Sequence, residues 1–104
     1  MKNINDKDVE FKNKVSGSKY LFTAEGKYAF GTAYLRPGDV IKEHVHTDEQ
    51  EIFYFISGSP EFKCAGKVFR AGPGDSFLAE AGEEHAITNG AAETAHLNFI
   101  KIKV

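Results

Sequence analysis

The sequence has 104 residues, of which 41% are hydrophobic and 27% are charged, and its formal net charge is -2. A chain of this length is expected to form one domain, 1–104, with a modest hydrophobic core. The charges are interspersed, which excludes the basic patch of a nucleic-acid-binding protein. No segment has the apolar length of a signal peptide or a membrane span, and the single cysteine fits a reducing compartment. We therefore predict a cytoplasmic protein that binds neither nucleic acid nor membranes.

Apolar residues alternate with a period of two from Phe11 to the end of the chain, and no stretch has the period of a helix. The segment 1–14 is polar and of mixed charge, so we expect it to be frayed or to form an edge or exchanged strand. In chain order, strands are expected in KYLFTAEGKYAF with a hairpin turn at 24–27, then in YAFGTAYL, VIKEHVH, EIFYFIS, EFKCAGKVFRAG, SFLAEAG, HAITN and TAHLNFIKIKV. Turns with glycine or proline separate them. This pattern predicts an all-β sandwich or barrel.

The strand EIFYFIS, residues 51–57, is apolar on both faces. A strand of this kind is buried within a sandwich or covered by a partner subunit. Together with the nine phenylalanines of the chain, it predicts a homodimer that forms through a sheet face or an exchanged N-terminal strand.

Two histidines one residue apart, His44 and His46, are candidate metal ligands. Side chains at positions i and i+2 of a strand point to the same face, so the two imidazoles would converge. The short connection 47–50 would then place Glu51 across from them on the neighbouring strand. His85, which follows a glycine-containing turn, supplies a third imidazole. An H-x-H pair also arises by chance, so the pair alone does not identify a metal site.

Glycines at set distances from these residues resemble the first sequence motif of the cupin superfamily. The stretch GDVIKEHVHTDEQEIFYFISG, residues 38–58, is similar to that motif, in which Gly, His-x-His, Glu and Gly follow one another at fixed spacings. Every fixed position of the motif is filled.

A second stretch, GDSFLAEAGEEHAITN, residues 74–89, resembles the second cupin motif. The matching positions are Gly74, Gly82, His85 and Asn89. The sequence departs from the motif at Glu80, where the family commonly has proline. Both motifs lie within residues 38–89, about half of the chain.

The resemblance implies a single-domain cupin-type β-barrel, a double-stranded β-helix or jelly roll, with one divalent transition metal per chain in its mouth. By the motif, the metal ligands carry over to His44, His46, Glu51 and His85, the same four residues that strand geometry suggests. A shell of nitrogen and oxygen ligands suits Fe, Mn, Ni, Zn, Co or Cu and does not select among them.

Three further residues are candidates for contact with a metal-bound ligand. As a pocket residue, His96 would be a general base or a hydrogen-bond partner of the substrate; otherwise it is an ordinary strand histidine. Tyr28 and Tyr34 lie on one face of a predicted strand. If that face borders the cavity, a tyrosine hydroxyl would reach the metal-bound species, and Tyr34 is then a candidate catalytic group.

Four residues are candidates for the wall of the substrate pocket. By parity with the ligands, Phe53, Phe55 and Phe77 are expected to line the barrel interior, where apolar walls exclude water from a metal. Core packing explains these phenylalanines equally well. Arg36 lies close to a strand end, where it would grip a carboxylate or phosphate of a substrate or remain solvated.

Two classes of function follow from the resemblance. The first is a metal-dependent enzyme acting on a small polar metabolite: a dioxygenase if the ion is iron, or an isomerase, lyase or decarboxylase of a sugar or keto acid. The second is a non-catalytic small-molecule-binding or sensing barrel with a bound metal. The chain has too few helical segments for a helix-turn-helix, which disfavours a DNA-binding sensor.

Overall fold

The computed structural model describes residues 1–13 and 17–104. Within these residues the chain forms one 3-10 turn (Asp6–Asp8), no α-helix and the following strands: β1 (Ser18–Ala24), β2 (Tyr28–Leu35), β3 (Val40–His44), β4 (Glu49–Ser57), β5 (Glu61–Cys64), β6 (Lys67–Arg70), β7 (Ser76–Ala79), β8 (His85–Thr88) and β9 (Ala95–Lys103). No helix of the described residues is long and apolar enough to cross a membrane.

The strands form two antiparallel sheets that pack face to face. One sheet has the order β1-β2-β9-β4-β7 and the other has the order β3-β8-β5-β6. The buried apolar side chains between them are Ala33, Leu35, Phe53, Phe55, Phe62, Ala71, Ala79, Ile87, Ala95, Leu97 and Phe99. The predicted all-β jelly roll is therefore confirmed, as two layers around one core.

Local sequence explains the two-residue turn that joins β5 to β6 within the segment EFKCAGKVFRAG. Its two central residues, Ala65 and Gly66, have φ angles of 50° and 78°. Positive φ at both positions is the type I′ geometry, whose twist matches that of the flanking strands. Glycine adopts this conformation without a steric cost, so Gly66 fixes the position of the turn.

Strand β4 explains why EIFYFIS is apolar on both faces. Phe53 and Phe55 point into the core and are 3% and 0% exposed. Ile52, Tyr54 and Ile56 lie on the outer face of the five-stranded sheet, where they are 37%, 48% and 38% exposed. The two faces of β4 therefore have different surroundings, and the outer one is an apolar surface.

The N-terminal segment contacts its own chain. The Lys19 ammonium donates a hydrogen bond to the carbonyl of Asp6 over 2.6 Å, and the Tyr34 hydroxyl donates to the Asp6 carboxylate. Residue 14 of the predicted segment 1–14 lies outside the described residues. Exchange of this segment between two copies stays a prediction.

Candidate metal centre

Four potential metal ligands meet between the two sheets. They are His44, His46, Glu51 and His85, and their ligand atoms lie within 4.8 Å of one another. Glu51 and His85 are buried, and the other two are half-buried. Nitrogen and oxygen ligands bind first-row metals at about 2.0–2.2 Å, so ligands on opposite sides of an ion are about 4.4 Å apart. The cluster therefore needs only a small contraction to surround an ion.

A β-bulge in β3 directs His44 toward the cluster. Ile41 pairs with Ile87 and His44 with His85, so three steps along β3 match two along β8. Without the extra residue, Ile41 and His44 would face opposite sides of the sheet, because they are an odd number of positions apart. With it, both line the same cavity.

His46 follows the end of β3, in the connection to β4. The backbone N–H of Gly82 donates a hydrogen bond to the carbonyl of His46 over 2.8 Å. Gly82 has a φ of 88°, which residues with a Cβ rarely adopt. This glycine therefore ties the turn before His85 to the segment that carries His46.

The turn before His85 is closed without the proline that the family commonly has at position 80. The N–H of Glu80 donates to the Glu83 carboxylate over 2.9 Å, and the N–H of Glu83 donates to the carbonyl of Glu80 over 3.0 Å. Proline has no N–H to donate, so this chain shapes the turn with a side-chain hydrogen bond instead.

Glu51 reaches the cluster from the opposite sheet. The sequence prediction placed it on the strand next to the histidine pair, and that prediction is wrong: β3 pairs with β8, whereas β4 pairs with β7 and β9. The connection 45–48 crosses from one layer to the other, as a jelly roll requires, and does not form a hairpin. The ligands consequently close the gap between the sheets.

Hydrogen bonds of two imidazoles leave Nε2 available for a metal. Nδ1 of His44 lies 2.8 Å from the carbonyl of Lys42, and Nδ1 of His85 lies 3.0 Å from the carbonyl of Glu83. A carbonyl only accepts, so each Nδ1 carries the hydrogen. This arrangement fixes the ring of a metal-binding histidine and leaves its other nitrogen facing the ion.

His85 also contacts Glu51, with 3.1 Å between Nε2 and Oε1. Burial by itself lowers the pKa of His85, but the hydrogen bond and charge of Glu51, with the Glu83 carbonyl, outweigh it and raise that pKa. In the absence of a metal, a proton shared with the carboxylate stabilises this pair. A divalent cation bound between the same two atoms would displace that proton.

The most informative atom of the cluster is Nε2 of His46. It is buried and has no hydrogen-bond partner within the described residues, although it lies 3.3 Å from Oε1 of Glu51 without the alignment of a hydrogen bond. Burial lowers the pKa of His46 and outweighs the opposing charge of Glu51. Buried polar atoms rarely stay unsatisfied, so a neutral imidazole here fits a divalent transition metal.

A cavity of about 90 Å³ lies beside the cluster. Besides three of the ligands, its lining consists of Ser18, Tyr20, Ile41, Phe53, Ile87, Leu97, Phe99 and Lys101. Sequence reasoning missed Lys101 and Tyr20. Parity gave a signal for the lysine, because Lys101 shares the inward face of β9 with Leu97 and Phe99.

Of the phenylalanines predicted to line the pocket, the structure places only Phe53 at the cavity. Its ring centroid lies 5.5 Å from that of His85. Phe55 is fully buried in the core, and Phe77 stacks on Phe62 at 4.5 Å. Strand parity correctly indicated an inward direction for all three, but it carries no information on position along the barrel.

Tyr28 and Arg36, the other two predicted pocket residues, lie away from the cavity. Tyr28 is 43% exposed and borders a surface cleft with Glu49 and Lys103. The Arg36 side chain is exposed and pairs with Asp39 at 3.0 Å. The turn after β2 therefore holds Arg36 outside the space between the sheets.

Tyr34 and His96, the predicted catalytic residues, lie together on the outer face of the five-stranded sheet. They are cross-strand partners, and their rings stack with centroids 4.2 Å apart. Their predicted catalytic role depended on this face bordering the metal cavity, and that condition is not met, because Ala33 and Leu35 are the residues of β2 that enter the core. The sheet itself separates His96 from the metal cluster.

The hydrogen bonds of His96 define its tautomer. The Thr32 hydroxyl donates to the carbonyl of Leu97 over 3.0 Å, so it accepts from Nε2 of His96 over 2.7 Å. Burial lowers the pKa of His96, opposed by the charge of Asp6. A neutral imidazole packed on Tyr34 follows, with a structural role in joining β2 to β9.

Tyr34 is expected to ionise late in an alkaline titration. Its hydrogen bond to Asp6, together with burial, raises the pKa of Tyr34 to about 12. A tyrosine whose pKa is raised by folding stabilises the protein fully below its unfolded pKa, and this stabilisation is lost as pH rises toward 12. Ultraviolet absorbance should show a tyrosine step near pH 12 that Asp6→Asn moves to lower pH. An unchanged titration in that variant would contradict the role of Asp6.

Comparison with known proteins agrees with this arrangement. Residues 31–101 match the family model described as "Cupin domain" (Cupin_2). A curated relative, "Oxalate-binding protein" of Thermotoga maritima, is 35% identical over 60 residues, which are 58% of this chain and 50% of that protein. The chain thus matches about half the length of this relative.

Solved structures show the same fold at low sequence identity. A predicted oxalate decarboxylase from Thermotoga maritima has a TM-score of 0.89 at 22% identity, with 99% of this chain and 100% of that chain covered. A Cupin 2 conserved barrel domain protein from Salinispora arenicola has a TM-score of 0.79 at 17% identity, with 100% and 88% covered. Because the family match spans well over half of the sequence and the fold agrees with it, the chain belongs to the cupin family.

Proposed function

We propose that this protein binds one divalent transition metal through His44, His46, Glu51 and His85 and uses the site to hold a small carboxylate-bearing metabolite. The observation that carries the proposal is the buried Nε2 of His46, which faces Glu51 without a hydrogen-bond partner in the described part of the chain. A bound ion would supply open coordination positions and Lewis acidity. The name of the oxalate-binding relative supports a carboxylate as the ligand.

The size of the cavity supports a small ligand. Its volume of about 90 Å³ corresponds to roughly three water molecules at about 30 Å³ each. A dicarboxylate or a short keto acid suits this space better than a sugar does. The apolar side chains of Ile41, Phe53 and Phe99 on its wall would exclude water around such a ligand.

The proposed site is suited to two classes of function, catalysis and binding without turnover. A metal-dependent decarboxylase, another lyase or an isomerase needs a group that carries a proton, whereas an iron dioxygenase needs open positions for substrate and O2. Tyr20 and Lys101 border the cavity, whereas His96 lies on the outer face of the sheet, so we assign the proton-carrying role to one of the former two. The alternative is a binding protein without turnover, which the name of the curated relative favours.

Metal analysis combined with a ligand assay tests this function. Protein reconstituted with Mn, Fe, Ni or Zn should hold about one ion per chain, and His44→Ala/His46→Ala should hold none. Loaded protein is then given oxalate or pyruvate while bound ligand, released CO2 and consumed O2 are measured. Turnover identifies an enzyme and its class, and binding alone identifies the alternative. Reconstituted wild-type protein without metal would contradict the site.

We also propose a homodimer through the outer face of the five-stranded sheet. Ile52, Tyr54, Ile56 and Leu78 form an exposed apolar surface there, each between 37% and 49% exposed. Soluble monomers rarely leave contiguous apolar surfaces uncovered. A second copy of the chain is the natural cover, because twofold-symmetric dimers are the commonest assemblies.

Sedimentation velocity at micromolar concentration tests the dimer. The wild-type protein should sediment as a dimer, and Tyr54→Glu should shift it to a monomer, because a buried unpaired carboxylate is costly. The matched control is Val68→Glu, which alters a residue that is 58% exposed on the other sheet. A wild-type monomer, or a Tyr54→Glu dimer, would rule out this interface.

We propose a cytoplasmic location as well. Cys64 is free and half-buried, and burial, with the charge of Glu83, raises the pKa of its thiol. The thiolate is the reactive form of cysteine, so this side chain is suited to stay a reduced, packed residue.

A further inference from the structure

Lys101 lines the metal cavity, and its ammonium forms no ion pair within the described part of the chain. Its Nζ donates a hydrogen bond to the hydroxyl of Tyr20 over 2.8 Å and lies 5.3 Å from the centre of that ring. Across residues 1–13 and 17–104, no carboxylate oxygen comes within 4.0 Å of it. A lysine ammonium has three donors, so two of them are available to a ligand.

The backbone places this ammonium beside the metal ligands. Lys101 on β9 is the cross-strand partner of Glu51 on β4, and both line the same cavity as His44 and His85. Tyr20 is held in turn by edge-to-face packing on Phe99 at 5.5 Å. The position of the ammonium is therefore set by packed strands, not by a mobile loop.

The charges of the site point to the chemistry of the ligand. A divalent ion and Lys101 would carry three positive charges around a small, partly apolar space, against the negative charge of the buried Glu51 and that of Glu49, whose carboxylate lies 3.6 Å from Nδ1 of His46. Such an excess of like charge is unfavourable unless an anion enters. A ligand with two negative charges can place one on the ion and the other on Lys101, and a ligand with one cannot do both.

We propose that Lys101 binds the second negative charge of a small dicarboxylate held at the metal site, and that Tyr20 is a positioning residue for the ammonium. This inference rests on the proposed function and adds selectivity for a dianion over a monoanion of the same shape. Charge-assisted hydrogen bonds in a half-buried site supply that selectivity.

The test compares oxalate with oxamate, which has the same shape and one negative charge fewer. Calorimetric titration of metal-loaded protein should show oxalate binding more tightly than oxamate. Lys101→Met should weaken oxalate binding about 10- to 100-fold and oxamate binding much less, so that the preference for the dianion falls. The metal content, measured separately, should stay at the wild-type level.

Two further variants make the result specific. Lys103→Met removes the same charge from the same strand, but Lys103 lies at the surface in an ion pair with Asp48, so the preference should stay as in the wild type. Tyr20→Phe keeps the charge and removes the hydrogen bond that positions it, so an intermediate loss of preference is expected. Tyr20→Phe also tests the role of the ammonium if Lys101→Met fails to fold or to load metal.

The outcomes separate the inference from the proposed function. If loaded wild-type protein binds neither anion, the proposed function is wrong and the inference with it. If the loaded wild-type protein binds oxalate, the decisive quantity is the ratio of oxalate to oxamate affinity. An unchanged ratio in the loaded Lys101→Met variant would overturn the role of Lys101 and leave the proposed function standing. Where Lys101→Met does not load metal, an unchanged ratio in Tyr20→Phe has the same meaning.

Discussion

Replacing His85 with alanine is expected to lower the affinity for a divalent transition metal by more than about 100-fold. Even the loss of an outer partner of a metal ligand costs about 10- to 100-fold in affinity, and His85 is a proposed ligand itself. Its ring is 2% exposed and points Nε2 at Glu51. In the variant, the remaining three ligands would surround a water-filled cavity in place of the missing imidazole, and the ion would lose one protein ligand. Competition with a chromophoric chelator measures the affinity.

The matched control for this variant is His96→Ala. It removes the same type of side chain from the same sandwich, but His96 stacks on Tyr34 on the far side of the sheet. Its loss should leave the metal affinity unchanged. It should lower only the free energy of unfolding, because the hydrogen bond between the imidazole and the Thr32 hydroxyl is lost. Wild-type affinity in His85→Ala, or lost affinity in His96→Ala, would show that the metal binds elsewhere.

These two histidines show how far the sequence predicts the site. The cluster of His44, His46, Glu51 and His85 is implied by the resemblance to the two cupin motifs. Strand parity suggests the same four residues, although it placed Glu51 on the wrong strand relative to the histidine pair. The positions of the strands follow from the alternation of apolar residues and from the turn residues between them. What parity leaves open is which of two faces is inward, and for β2 and β9 the inward face is the one opposite to Tyr34 and His96.

Long-range pairing accounts for the remaining differences. The sequence does not show that β3 and β4 belong to different sheets, since a four-residue connection suits a hairpin equally well. The sequence does not show the bulge at His44 either, because the extra residue is defined only by the pairing of β3 with β8. Lys101 was overlooked because a lysine near the end of a strand is usually solvated, and only pairing with β4 places it beside Glu51.

The second large effect is expected in the core, where Phe55→Ala should lower the free energy of unfolding by about 3–5 kcal/mol. Phe55 is fully buried, with its ring centroid 6.0 Å from that of Phe62 and 5.8 Å from that of Phe77. Removing the ring leaves a cavity that these edge-to-face neighbours cannot fill. Urea denaturation measures the loss, and Phe69→Ala, at a residue 40% exposed, should cost less than about 1 kcal/mol.

The Phe55→Ala variant also distinguishes a core residue from a residue that lines the metal cavity. Since Phe55 does not border the metal cavity, protein that remains folded after Phe55→Ala should bind metal as the wild type does. Phe53→Ala should differ, because Phe53 borders the cavity and packs its ring near that of His85. It should weaken both stability and metal binding. If Phe55→Leu, which refills most of the volume, still lowered metal affinity tenfold, the assignment of Phe55 to the core would be wrong.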